Sequence, residues 1–419
     1  MPRIIRRFLA AGVAVVSIFA LTACGGGSKG NSGADAKEIT LTYSDDQNNA
    51  YKTMAQKYTK DTGVKVNIME VPYADLGTKI ANAAKADDLP DVARVPQINP
   101  VWSDQLEDLT NIADNHNAMK SLLRKSPDGK ILTIASDLTA VGLFLNTSLF
   151  DKAGVSYPDP DGSWTWEEFI AALKKVQAAT GAKYGLVMDA SSHRERSFLY
   201  QFGSKGVRKH ADGSWGLDDK AKTALEFLKS IDDDKIMPKS VWASNEDPSA
   251  LFKSGQVAAY YSGNWQIADF NTSITSFTWK SVIMPASPTK ATNVGTNYMV
   301  ALSPAGKKFL DWFYSKKNYT AFCEQGNYLP ALNDITPKYA NHNEDMELYQ
   351  KIIRESDQDV LSRQVMTQLE LALKGAVLPS QDPMKDETIK YLSDEQDVDT
   401  TVANMNRLFT KSYTVDNKQ

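Results

Sequence analysis

The chain has 419 residues, 42% of them apolar and 23% charged, with a formal net charge of −4. That balance lacks the basic excess nucleic-acid binding requires, and the length exceeds one compact core while suiting two lobes. Only two cysteines and four scattered histidines occur, without H-E-x-x-H, G-x-S-x-G or Walker A spacing, which argues against a disulfide framework, a metal centre or a nucleophile motif.

Arg3, Arg6 and Arg7 precede an apolar run from Phe8 to Ala20, the length of a signal-peptide core and short for a membrane span. Export is expected. Leu21-Thr22-Ala23-Cys24 resembles a bacterial lipobox, which implies removal of the signal peptide (1–23) and a diacylglycerol on the Cys24 thiol, a two-chain membrane anchor facing outside the cytoplasm. A plain secretory signal with an incidental cysteine is the alternative. Residues 24–37 read as a flexible linker. Gly25 to Gly30 matches G-x-G-x-x-G literally, but no strand precedes it and no helix follows, so it makes no dinucleotide site.

Ile39, Leu41 and Tyr43 alternate as in a half-buried strand. After the polar loop Ser44 to Asn48, residues Tyr51, Met54, Ala55 and Tyr58 recur at helical spacing, and Gly63 is placed to end that helix. Val64, Val66 and Ile68 alternate again, so a βαβ unit and a parallel α/β sheet are predicted. A second helix over 76–85 leads to a short strand over 92–95. Ligands of open α/β sheets sit beyond the carboxyl ends of strands, which makes Asp45, Asp46 and Arg94 candidate contacts on one cleft rim. Helix capping by the acids and a surface role for Arg94 are the alternatives.

Ile131 to Ile134, a break at Ala135-Ser136-Asp137 and the run Val141 to Asn146 predict two strand segments at a crossing into a second lobe. Thr165-Trp166-Glu167-Glu168 is a capping box, and Trp166, Phe169, Ile170, Leu173 and Val176 form the buried face of the helix that follows. Gly185 to Met188 predicts a strand whose exit loop carries His193, Arg194 and Arg196. Gln256 to Tyr261 predicts another, ending in a turn at Ser262-Gly263. The adjacent Tyr260 and Tyr261 admit a ferric-ion reading, but neighbours on a strand face opposite ways, so one of them is expected in the core.

Leu89-Pro90-Asp91-Val92, Leu149-Phe150-Asp151-Lys152-Ala153-Gly154-Val155, Trp164 to Phe169, Leu251 to Ala259, Gly263-Asn264-Trp265, Met284-Pro285, Gly295-Thr296-Asn297 and Leu329-Pro330-Ala331 occur in a telling order. The series resembles family 1 extracellular solute-binding proteins, the carbohydrate-binding lipoproteins of ABC importers. It runs from Ile39 to Asn333 and weakens toward Phe409. The resemblance implies an α/β, two-lobed periplasmic-binding-protein-like fold of type II with the ligand cleft between the lobes. The N-terminal lobe would take 38–133 plus 286–317, and the C-terminal lobe 134–285 plus 318–419. It also implies a monomeric, non-enzymatic protein without cofactor or metal, which passes a carbohydrate, an oligosaccharide above all, to permease subunits served by a cytoplasmic ATPase. Phe144, Leu145 and Gly295-Thr296 depart from the family's common tyrosines and Gly-Gly, which leaves the sugar undefined.

A sugar ring offers an apolar C–H face and a girdle of hydroxyls, so its site needs an aromatic platform beside polar groups. Trp265 is the candidate platform, with a core indole as the alternative, and Asn264 is its polar neighbour. Asp137 is a candidate hydroxyl acceptor at the crossing. The resemblance implies ligand contacts from His193 and Arg194, for which a solvated basic loop is the alternative. Thr296 and Asn297 open the return to the first lobe, and Gln381 lies in a late loop able to reach the cleft. A surface-anchored glycoside hydrolase using two of Asp45, Asp46 and Asp137 is the rival from another class. A rigid adhesin and a binder of a non-sugar solute, anions included, also stay open.

Overall fold

The structure, a computed structural model, describes residues 33–378 and 382–414. The expected signal segment, Cys24 and Gln381 lie outside the described residues.

β1 (Glu38–Tyr43) pairs in parallel with β2 (Lys65–Glu70) and with β3 (Val92–Val95), and the helix Ala50–Thr62 joins the first two. The predicted βαβ unit is present. Its helix stops at Gly63, whose φ of +77° disfavours a side chain and whose N–H bonds the Thr59 carbonyl.

β4 (Ile134–Asn146) differs from the expected pair of segments. It is one strand of 13 residues that continues through Ala135-Ser136-Asp137, with a bulge at Ser136 where its register against the neighbouring strand shifts. Asp137 keeps its place in the ladder while Ser136 bulges out of register, and each of the two polar side chains finds a buried partner, described below. Beyond it lie β5 (Tyr184–Met188), the small hairpin β6 (Arg208–Lys209) and β7 (Trp215–Gly216), β8 (Val257–Gly263), β9 (Trp279–Val282) and β10 (Val294–Ala301). The main sheet is ordered β2-β1-β3-β10-β4-β8-β5, with β9 also on β4. Ile134 to Ala140 pair with β10, and Val141 to Asn146 pair with β8 and β9. One strand thus belongs to both lobes of this two-lobed α/β fold.

In the first lobe, Ile39, Leu41 and Tyr43 pack with Tyr51, Met54, Tyr58, Phe309, Phe313 and Phe322. The helix Lys316–Gly326, expected to open the C-terminal lobe's last stretch, packs here as well. Phe322 lies 4.8 Å from the Tyr51 ring, Cys323 is buried beside it, and the Tyr319 hydroxyl donates to the Ser136 carbonyl at 2.8 Å. The chain also leaves the second lobe later than residue 286. Ala286, Ser287 and Thr289 still donate to the Trp164 and Gln201 carbonyls, and pairing with the first half of β4 begins at Val294. Helical spacing reports which face is apolar but not which sheet receives it.

The second lobe is built on the capped helix Trp166–Thr180, whose predicted face is buried throughout. Both faces of β8 are covered, so Tyr260 and Tyr261 are both core, where one was expected. Their hydroxyls diverge, Tyr260 donating to Asp189 and Tyr261 to Ser197, so the two phenols do not converge on an ion.

His193, Arg194 and Arg196 are not in a loop. They open the helix Ser192–Gln201, with the Ser191 hydroxyl accepting the His193 N–H at 3.2 Å. On the far side of this helix Glu195 is fully buried, taking a hydrogen bond from Thr388 on the helix Pro383–Leu392. Burial pushes its carboxyl up to about 7, against the opposing Thr388 bond and Arg196 charge. A raised folded-state pKa favours the fold below the unfolded value of 4.5 and loses that advantage as pH rises through about 7. Glu195→Gln is therefore expected to add less than about 1 kcal/mol of stability at pH 5 and roughly 3 kcal/mol at pH 8. Urea midpoints at the two pH values check this, and an equal change at both would refute it.

Candidate functional site

The ladder between β4 and β10 is buried except at Thr139, Gly295 and Asn297, which are half-exposed. Gly295 pairs with Thr139 and Asn297 with Asp137, so these positions fall two rungs apart where the lobes meet. They make the candidate floor of the cleft. The Asn297 carboxamide makes no hydrogen bond to a described residue, although its backbone carbonyl accepts from Ser136 and Thr296. Thr296 is turned inward, its hydroxyl directed at the Asp137 carbonyl at 2.7 Å.

Beneath the floor Arg94 and Asp137 form an ion pair, 4% and 1% exposed. Arg94 Nη2 donates to Asp137 Oδ1 at 3.0 Å, Nη1 to the Ser44 carbonyl at 2.9 Å, and Nε to Ser136 Oγ at 3.3 Å. The Ser136 hydroxyl also reaches Asp137, and the guanidinium lies 5.5 Å from the Tyr51 ring. Burial works against the guanidinium's charge, yet the Asp137 carboxylate outweighs it and holds the pKa above its ordinary value. Charge and hydrogen-bonding capacity are spent inside the protein, so the pair joins β3 to β4. Asp46 is likewise engaged. It accepts the Tyr51 and Lys52 N–H groups at 2.9 and 3.1 Å, capping the first helix, and burial raises its carboxyl despite those bonds. Asp45 alone of the candidate acids is exposed, at φ +54°.

The second-lobe wall is made by Trp265, His193 and Arg194. Trp265 follows β8 and is half-buried, its indole lying against Gly263, where a Cβ would collide with the ring. The Arg194 guanidinium stacks 4.6 Å from the indole, and the His193 ring is 5.7 Å away. Arg194 is held by Asp189, whose carboxylate also accepts from Tyr260 and from the Ser262 hydroxyl at 2.9 Å. Asn264, expected as a ligand contact, is 2% exposed and closes the strand junction, with Oδ1 accepting the Ala140 N–H at 2.8 Å. Arg196 is buried and paired with Asp382. Each of the three candidate arginines therefore faces a carboxylate, which leaves the wall without net positive charge from them.

His193 is backed by Asn293, which reading the sequence had not singled out. The Asn293 Nδ2 lies 2.5 Å from His193 Nδ1 and 3.3 Å from the His193 carbonyl. Burial first, and the charges of Arg194 and Arg196 next, depress the imidazole pKa well below its ordinary value, so the ring is neutral at physiological pH. Asp189 was missed too, although it directly follows β5 and the strand-end rule points to it. Asn293 carries no comparable signal, since it precedes β10 and gains meaning only when the second-lobe helix docks on it.

A cavity of about 680 Å³ lies elsewhere, between the helix Tyr73–Lys85 and the sheet, lined by Glu38, Thr40, Asn67, Lys79 and Asp91 among others. Its lining includes Glu38 and Asp91 at the amino-terminal ends of β1 and β3.

A family described as bacterial extracellular solute-binding protein matches residues 53–347. A binding protein of Brucella abortus (strain 2308) is 24% identical over 352 residues, 78% of this chain and 82% of its own. The arabinooligosaccharide-binding protein of Bacillus subtilis (strain 168) is 25% identical over 273 residues, 62% of each chain. Among solved structures, the GacH receptor of Streptomyces glaucescens, determined unliganded and in complex with acarbose, aligns with a TM-score of 0.69 at 22% identity. It covers 90% of this chain and 99% of its own. At that identity the likeness is one of fold.

Proposed function

Since the chain belongs to the bacterial extracellular solute-binding protein family, we propose that it captures a neutral carbohydrate, an oligosaccharide, in the cleft between its lobes. It then delivers the sugar to an ABC permease driven by a cytoplasmic ATPase. A lipid on Cys24 tethers the protein, as a monomer, to the outer side of the cell membrane.

The observation that carries this reading is the half-exposed indole of Trp265 standing beside the floor of Thr139, Gly295 and Asn297. An apolar plate next to uncharged polar groups suits a polyol. The pairing of Arg94, Arg194 and Arg196 with Asp137, Asp189 and Asp382 speaks against an anionic solute. It also speaks against hydrolysis, because Asp137 and Asp46 are occupied where glycoside cleavage needs two available carboxyls. Closure follows if the sugar binds the closed arrangement more tightly than the open one, with β4 as the shared strand about which the lobes turn.

The test is calorimetry on the mature chain with arabino-, galacto- and malto-oligosaccharides beside acidic uronate oligomers. Binding within one neutral sugar class is the expected result. Binding to uronates alone, or the appearance of new reducing ends, would overturn the reading.

A further inference from the structure

We infer that Asn293 fixes the His193 imidazole as the neutral Nε2–H tautomer, so that His193 serves the ligand site as a hydrogen-bond donor rather than as a cation or an acceptor. This rests on the cleft being the ligand site, as proposed above.

The geometry leaves one assignment. The Asn293 amide faces two atoms at once, the His193 carbonyl at 3.3 Å and His193 Nδ1 at 2.5 Å. A carbonyl oxygen only accepts, so the amide must present its NH₂ group on this side, and Nδ1 must then accept as well. A neutral imidazole carries one ring proton, which falls on Nε2. Nε2 is buried and has no partner among the described residues, and the same is true of Asn293 Oδ1. Nε2 is 3.6 Å from where a Cβ on Gly295 would stand, so this unused donor lies against the cleft floor.

The surroundings favour the neutral ring. Its own helix contributes Arg194 and Arg196, both of which oppose a second positive charge. The other elements packed on it bring Asn293 and Gly295, with Trp265 on the wall, none of them charged. Asp189, the nearby carboxylate, is engaged by Arg194.

The whole mature protein labelled with ¹⁵N-histidine gives the test. Two-bond ¹H–¹⁵N spectra distinguish the tautomers, and His193→Gln assigns the signal among four histidines. The expected result is an Nε2-protonated pattern unchanged between pH 5 and 8, with the Nε2–H resonance shifting on saturation with whichever arabino-, galacto- or malto-oligosaccharide binds. An Nδ1-protonated or titrating ring would overturn the inference, and so would a resonance that ignores bound sugar. Asn293→Asp supplies the second arm. A carboxylate there accepts from Nδ1–H and raises the ring's pKa, so sugar binding that is flat with pH in the wild type should weaken about tenfold as pH rises through that new pKa. Should this variant fail to fold, Asn293→Ser, which frees the ring to sample both tautomers, takes its place. If no sugar binds, the proposed function fails while the spectra still decide the tautomer.

Discussion

Asp137→Ala is expected to cost about 3–5 kcal/mol of stability, the usual penalty when one partner of a buried ion pair is removed. Arg94 is 4% exposed, so its charge would be left in the interior with the Ser44 carbonyl and the Ser136 hydroxyl as hydrogen-bond partners and the Tyr51 ring beside it, none of them charged. The cost comes from stranding the charge rather than from the worth of the pair. Arg94→Leu combined with Asp137→Leu should accordingly recover much of the loss, since no uncompensated charge remains. Urea unfolding of the two variants against wild type separates the contributions. A loss below about 1 kcal/mol for the single variant would mean that water reaches the pair, as at a surface bridge. The same variants report on the hinge, because the pair ties β3 of the first lobe to the strand both lobes share.

Trp265→Ala should weaken sugar binding by at least roughly 2 kcal/mol, about thirtyfold, as expected for a buried aromatic anchor. Arg194 covers one face of the indole and Gly263 lies against its six-membered ring, so a ligand meets the half-exposed remainder of the ring. Trp265→Phe should recover part of the loss by restoring a smaller aromatic plate. Calorimetry with the best-binding oligosaccharide reads both variants. Unchanged affinity in Trp265→Ala would move the platform elsewhere on the wall while leaving the family assignment intact. Because the ring is half-buried against Gly263, a matched urea titration is needed to show that the fold survives.

The elements of the first βαβ unit were legible because their signals are local. Alternation gave β1 and β2, a 3.6-residue spacing gave the helix between them, and Gly63 ended it. The capping box at Thr165 and the buried face of Trp166 to Val176 were equally plain. Of the candidate site residues, the structure brings some to the junction of the lobes and not others. Trp265, Asn297, His193 and Arg194 lie at or beside the cleft floor, whereas Arg94, Asp137, Asp46 and Asn264 have their polar atoms engaged within the protein. Asp137 illustrates the difficulty. A lone acid in Ala-Ser-Asp looks like a loop residue until Arg94, 43 positions earlier, is seen to neutralise it inside a continuous strand.

By itself, then, the sequence determined the α/β class, the order of the family's motifs and the amphipathic faces, all of which depend on residues a few positions apart. The tertiary structure decided which polar groups are free. It paired three arginines with three carboxylates, put the helix Lys316–Gly326 in the first lobe, and set Asn293 against His193 from 100 positions away. The reason is energetic: a buried polar group must find a partner wherever the fold brings one, and the side chains left over to meet a ligand are known only after those partnerships are made.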